Sequence, residues 1–223
     1  MVAADLPGHG ARFPSTPAEG ARELMGGPTG QAVADWAEEP FLMAVEDVFL
    51  LQQGRAVMVT GRIERGLVRQ GDLVEIVGSD GTVTTPVTGI EQHPVRIGAA
   101  SAGMNVGVLL DGAAADALDR GQVLATPGSI RARGCFTADF TLLSEEQGGV
   151  DVASGDRLLF HTRTAAVWGT VTLAGGVEVV RPLHGAEVVV ALDEAVALEV
   201  GQSFAVRARG RAAGSGTVIR LPR

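Results

Sequence analysis

The residues able to do chemistry in this chain are few and unevenly chosen. All 18 basic residues are arginine, and none of the 223 residues is lysine. The GxxxxGK[ST] loop that cradles nucleotide phosphates needs a lysine to reach the outer phosphates, so this sequence holds no conventional P-loop. The four histidines are scattered and Cys135 stands alone. There is no GxSxG elbow, no HExxH, no paired CxxC and no GxGxxG that opens a helix, so nothing signals a nucleophile, a zinc centre or a dinucleotide fold. The expectation is a protein without catalytic residues, cofactor or metal. What remains is binding chemistry. Glu46 and Asp47 form an acidic pair in "VEDVF", Glu91 and His93 stand in "TGIEQH", and Asn105 lies between Gly103 and Gly107. Carboxylates accept hydrogen bonds from hydroxyl or ammonium groups. Each position also has an ordinary reading: acids at a strand start tie down turns, a single histidine beside a turn is commonly a surface group, and asparagine tolerates a left-handed turn. Arg207, Arg209, Arg211, Arg220 and Arg223 form the basic cluster of note. Alternation in "FAVRARGR" predicts Arg207, Arg209 and Arg211 on one strand face, as a phosphate-facing patch or a solvated outer surface. Aromatic residues total only 4%, which favours the solvated surface because none interleave to stack bases.

The elements that position these residues read as short strands. Hydrophobic residues make up 46%, charged residues 20%, and 31 glycines imply many turns, a composition usual for a soluble globular protein. The length has room for two small domains. No apolar run approaches the roughly 20 residues that span a bilayer. The opening "MVAADLPGHGARFPST" has neither a basic start nor an apolar core, so no secretory signal is expected, and with a single cysteine the expected address is cytoplasmic. A net charge of -8 argues against non-specific adhesion to nucleic acid, DNA included. Residues 1–39 read as an arm rich in Gly, Pro and Ala, partly disordered or carrying one short helix. In "TPAEGARELM", Thr16 is the N-cap, Pro17 the first helical residue and Glu19 the capping-box partner, with Gly26 and Gly27 as the stop. From Phe41 the texture changes to segments such as "AVMVTGRI", "DLVEIVG" and "NVGVLLDG" between Gly and Asp turns. After a break at Pro127 and Gly128 a second series follows, including "CFTADFTLLS", "AEVVVAL" and "QSFAVRAR". The expected fold is all-β: two small antiparallel β-barrels in tandem, over residues 40–129 and 130–223, closed so that few edges are exposed.

The run "PFLMAVEDVFLL…AVMVTGRIERGLVRQGDLVEIVG…VTGIEQHPV…AGMNVGVLLDG…DRGQVLATPG" resembles the second domain of bacterial elongation factor Tu. "TLLSEEQGG", "RTAAVWGTVTL…GGVEVVRP" and "VALEVGQSFAVRARGRAAGSGTVI" resemble its third domain, in matching order. Together they cover about residues 40–223, and the order of the motifs is the specific signal. "DLPGH" at residues 5–9 resembles the Asp-x-Pro-Gly-His switch segment of translational GTPases, and "ARELM…ADWAEEPFLM" resembles the end of that GTPase domain with its linker. The resemblance therefore implies a truncated or free-standing paralogue that lacks the GTPase domain. It would be a non-enzymatic module with the arm as a relic.

In that family the second domain holds the terminal adenosine and attached amino acid of aminoacyl-tRNA. The resemblance implies that Glu46, Asp47, Glu91, His93 and Asn105 surround this pocket, and that Arg163, Arg209, Arg211 and Gly214 lie at the tRNA stem contact of the third domain. Three departures from the family pattern stand out, of which the first and third are expected to weaken RNA binding and the second to shift the hairpin over the pocket. Pro94 follows His93 where relatives carry a basic residue, one residue is inserted in "VFLLQQGRAVMVTG", and Asp193 and Glu194 stand where relatives present a cation to phosphate. The implied partners are a weakly held aminoacyl-tRNA, the ribosome, a nucleotide-exchange factor or a separate GTPase. The alternatives are a protein-interaction module, a decoy for small molecules directed at elongation factors, and a decayed gene product. Charge placement discriminates: arginines continuous with the pocket favour RNA, whereas Asp193 and Glu194 interrupting that face favour protein.

Overall fold

The computed structural model describes residues 39–51, 53, 55–79 and 81–222. The helix expected at residues 16–25 and the segment at residues 5–9 lie outside the described residues. Among the described residues no helix is long and apolar enough to cross a membrane.

The first barrel is built from β1 (Leu42–Ala44), β2 (Asp47–Leu51), β3 (Ala56–Arg65), β4 (Leu67–Arg69), β5 (Leu73–Gly78), β6 (Gly81–Gln92), β7 (Val95–Ile97), β8 (Ala99–Ser101), β9 (Asn105–Asp111) and β10 (Val123–Ala125). Its strands run in the order β1-β10-β5-β6-β9-β3, and the pairing of β1 with β3 closes the ring. The period-2 pattern explains the strands: in "AVMVTGRIER" of β3, Val57, Val59, Gly61 and Ile63 face inward, whereas Met58, Thr60 and Arg62 do not. Val57, Val59 and Ile63 join Met43, Ile76 and Leu110 in the core.

β1 and β2 lie on the same edge of β3, interrupted only at Val45 and Glu46. They amount to one strand with a kink, and Gly61 makes the kink possible. A Cβ at Gly61 would lie 2.0 Å from the Ala44 carbonyl oxygen, so only glycine lets the incoming strand pass this close to β3.

The second barrel comprises β11 (Arg131–Leu142), β12 (Val152–Ala153), β13 (Arg157–Thr162), β14 (Ala165–Leu173), β15 (Val179–Val180), β16 (Gly185–Leu198), β17 (Ser203–Ala208) and β18 (Arg211–Arg220). Six of these close in the order β11-β16-β14-β13-β17-β18. Phe136, Phe160 and Phe204 fill its centre, with ring centroids 5.5 to 6.0 Å apart. Each edge-to-face pair adds about 1 kcal/mol beyond its burial.

The barrels share a small apolar seam of Leu42, Val77, Val123, Ala125, Ile130 and Ala197. A polar clamp flanks it. Arg163 donates to Glu64 (2.9 Å), to Glu199 (2.5 Å), to the Ala197 carbonyl (3.0 Å) and to Gln202 (2.6 Å). Arg65 reaches across to both oxygens of Glu199 at 2.7 Å and also donates to the Pro40 carbonyl.

Candidate functional site

Five neighbouring strands of the first barrel, β2-β3-β9-β6-β7, carry the candidate site on their outer face. Cross-strand partners share a face, and the register sets one row as Asp47, Thr60, Gly107, Glu91 and Arg96. A second row holds Phe49, Met58 and Leu109, and Asn105 stands opposite Arg62. A cleft of about 250 Å³ opens over these rows, lined by Glu46, Met58, Thr60, Gly61, Glu91, His93, Asn105, Val106 and Gly107.

Local structure explains how each side chain arrives. Glu46 occupies the kink between β1 and β2, where its own N–H donates to the Thr60 carbonyl at 2.9 Å. Its carboxylate is exposed and has no partner among the described residues. Glu91 lies near the end of β6, and Arg96 of β7 donates to it at 3.1 Å across the hairpin. His93 sits in the turn of that hairpin, joined to Pro94 by a cis peptide bond. Asn105 opens β9. Gly107 shapes the floor, because a Cβ there would meet Met58 Sδ at 2.8 Å and its absence lets the thioether lie over the strand.

Glu46, Glu91, His93 and Asn105, named from the sequence, thus converge on one cleft. Asp47 does not line it; Arg120 holds its carboxylate at 3.2 Å. Sequence reasoning missed Arg96, Met58 and Thr60. The spacing of Glu91 and Arg96 around "HP" was the signal available for the first, since a turn of that kind folds the two into register. With Arg96 compensating Glu91, the cleft retains the free charge of Glu46. It offers acceptors for hydroxyl or ammonium groups, ring and amide donors from His93 and Asn105, and an apolar patch from Met58 and Val106.

On the second barrel the remaining residues are dispersed. Arg163 is 7% exposed and engaged in the inter-barrel clamp. Arg209 lies at the other end of the β13–β17 pair, since Leu159 pairs with Arg207 and His161 with Ala205. The expected single face for Arg207, Arg209 and Arg211 is corrected. Arg209 and Gly210 form a two-residue hairpin turn with φ of 48° and 79°, and Arg211 stands opposite Ala208 rather than beside Arg207. Gly214 is buried, with the Thr141 carbonyl 2.5 Å from where a Cβ would be. Opposite Gly134 the register between β11 and β16 shifts, so residues 192–195 of β16 have no partner on β11, although Leu192 still pairs with Gly169 of β14. Asp193 there pairs with Arg157, and Glu194 lines a groove between the barrels with Asp119, Arg120 and Gln122.

Comparison with known protein families gives two matches. Residues 56–125 match the family described as Elongation factor Tu domain 2, and residues 129–221 match the family described as Elongation factor Tu C-terminal domain. The first match contains β3 through β10 and every cleft residue but Glu46; the second contains all strands of the second barrel.

Proposed function

The chain belongs to the elongation factor Tu family through its second and C-terminal domains, and from that premise we propose that this translation-factor-type module recognises the aminoacylated 3′ end of tRNA in the cleft of Glu46, Glu91, His93 and Asn105, without turning over GTP. The observation that carries this reading is the convergence of those four side chains, from separate strands and a turn, around one cleft of about 250 Å³. Single-stranded RNA ends are read through unstacked bases and the 2′-hydroxyl, and free carboxylates suit both ribose hydroxyls and an α-ammonium group. The absence of lysine from the sequence supports binding without nucleotide hydrolysis by this chain.

A second reading, a protein-interaction module for a translation component, is favoured by charge placement. Arg163 is committed to Glu64 and Glu199, Arg120 to Asp47 and Arg157 to Asp193, while Glu194 faces the inter-barrel groove. Few cations are left for a tRNA stem on the way from cleft to second barrel.

Fluorescence anisotropy with charged and uncharged tRNA, at low and moderate salt, separates the two. Binding that depends on the aminoacyl group and weakens in Glu91→Ala is expected. No binding at low salt retires the RNA reading in favour of protein partners.

A further inference from the structure

The first strand of the second barrel has an edge that its own sheet does not cover. β11 pairs with β16 from Arg131 to Thr141, but with β18 only from Thr137 to Leu142. Along residues 131–136 the side facing away from β16 carries no ladder, and no turn or loop bonds to it among the described residues. Unpaired strand edges offer N–H and C=O groups in the alternation that an added strand requires.

The same stretch borders a cleft of about 280 Å³ whose walls include Arg131, Arg133, Leu198, Val200 and Leu221. Arg131 is exposed and Arg133 half-buried, and neither has an acidic partner among the described residues. Other described arginines, Arg62, Arg181 and Arg211 among them, also lack an acidic partner, so the informative point is where Arg131 and Arg133 stand: side by side on a strand edge without a ladder. Glu199 also lines this cleft, but Arg65 and Arg163 already hold its carboxylate at 2.7 and 2.5 Å. Two uncompensated cations therefore stand on a free strand edge in a protein of net charge -8. They are two residues apart, so they share a face with a spacing of about 6 to 7 Å, the repeat of alternate side chains on any neighbouring strand.

We propose that this edge is a β-augmentation site for an extended acidic peptide of a partner protein. The peptide adds as a strand along residues 131–136 and sets carboxylates two residues apart against Arg131 and Arg133. A peptide suits the site better than nucleic acid because no aromatic residue lines the cleft to stack a base. The site is separate from the first-barrel cleft, and the inference does not rest on the tRNA reading.

The test uses the full chain and a fluorescein-labelled peptide of alternating glutamate and valine, with a glutamine and valine peptide as control. Saturable, salt-sensitive binding of the acidic peptide is expected, weakened at least about fivefold in both Arg131→Gln and Arg133→Gln, as loss of a charge-assisted hydrogen bond implies. Hydrogen exchange should show new amide protection confined to residues 131–136, which a merely electrostatic contact would not produce. Equal binding of the two peptides, unchanged binding in the double variant, or protection elsewhere overturns the proposal. A doubled molar mass by light scattering that the double variant R131E/R133E abolishes would assign the edge to a second copy of this chain and overturn it too.

Discussion

Arg163 and Glu64, one from each barrel, meet at 2.9 Å with the guanidinium almost fully out of water. The same arginine also holds Glu199, Gln202 and the Ala197 carbonyl, so its donors are satisfied by partners from both sides of the seam. The network is the main polar connection between barrels whose apolar seam is small.

Arg163→Ala is expected to destabilise the protein by about 2 kcal/mol. Removing one member of a buried pair costs more, but Glu64 and Glu199 keep 36% and 34% of their side-chain surface exposed and regain water. Urea unfolding followed by the fluorescence of the two tryptophans, Trp36 and Trp168, and by far-UV circular dichroism should show transitions that no longer coincide. Coincident curves with a midpoint near that of the parent would remove the clamp from the stability account.

Gly61→Ala and Gly98→Ala make a matched pair. At Gly61 a Cβ would press on the Ala44 carbonyl at 2.0 Å, whereas at Gly98 nothing lies within 4 Å. The first substitution should cost about 3 kcal/mol or more and displace Glu46; the second should be neutral within about 0.5 kcal/mol. Thermal unfolding of both variants checks this, and similar melting temperatures would mean that the kink has another cause.

Gly107→Ala separates cleft shape from stability. The new methyl meets the flexible end of Met58, which can move, so a loss of about 1 kcal/mol is expected. The displaced thioether fills the cleft, and on the proposed function anisotropy with charged tRNA should lose its dependence on the aminoacyl group. Retained dependence would put the aminoacyl end elsewhere.

Arg96→Gln tests the cation that stands beside Glu91. If tRNA phosphates approach this rim, the variant should bind more weakly and the slope of log affinity against log salt should fall by about one. A slope identical to that of the parent protein would limit Arg96 to neutralising Glu91.

Much of this was legible in the chain. The alternation in "AVMVTGRIER" and "SFAVRA", with glycine turns between such segments, predicts short antiparallel strands with one buried face, and the order of motifs then narrows a sandwich or barrel to two barrels in tandem. Glu46, Glu91, His93 and Asn105 were named from their motif contexts, and local strand geometry carries them to one cleft. Failures came where long-range placement decides. Asp47 finds Arg120, far away in the chain, and Arg163 is drawn into the seam by the relative position of two barrels that no local pattern encodes. The supposed stripe of Arg207, Arg209 and Arg211 overlooked Gly210. An Arg-Gly pair between strand-like segments marks a two-residue turn, and a turn ends the alternation on which the stripe depended.

The seam between the barrels also has a meaning for avidity. Because Arg163 and Arg65 tie the two bodies together, the first-barrel cleft and the open edge of β11 are held at a set separation, unlike modules on a flexible tether. A ligand or assembly that touches both gains an effective local concentration determined by that geometry, and one of the wrong span gains nothing. The molecule would then select partners by length as well as by chemistry.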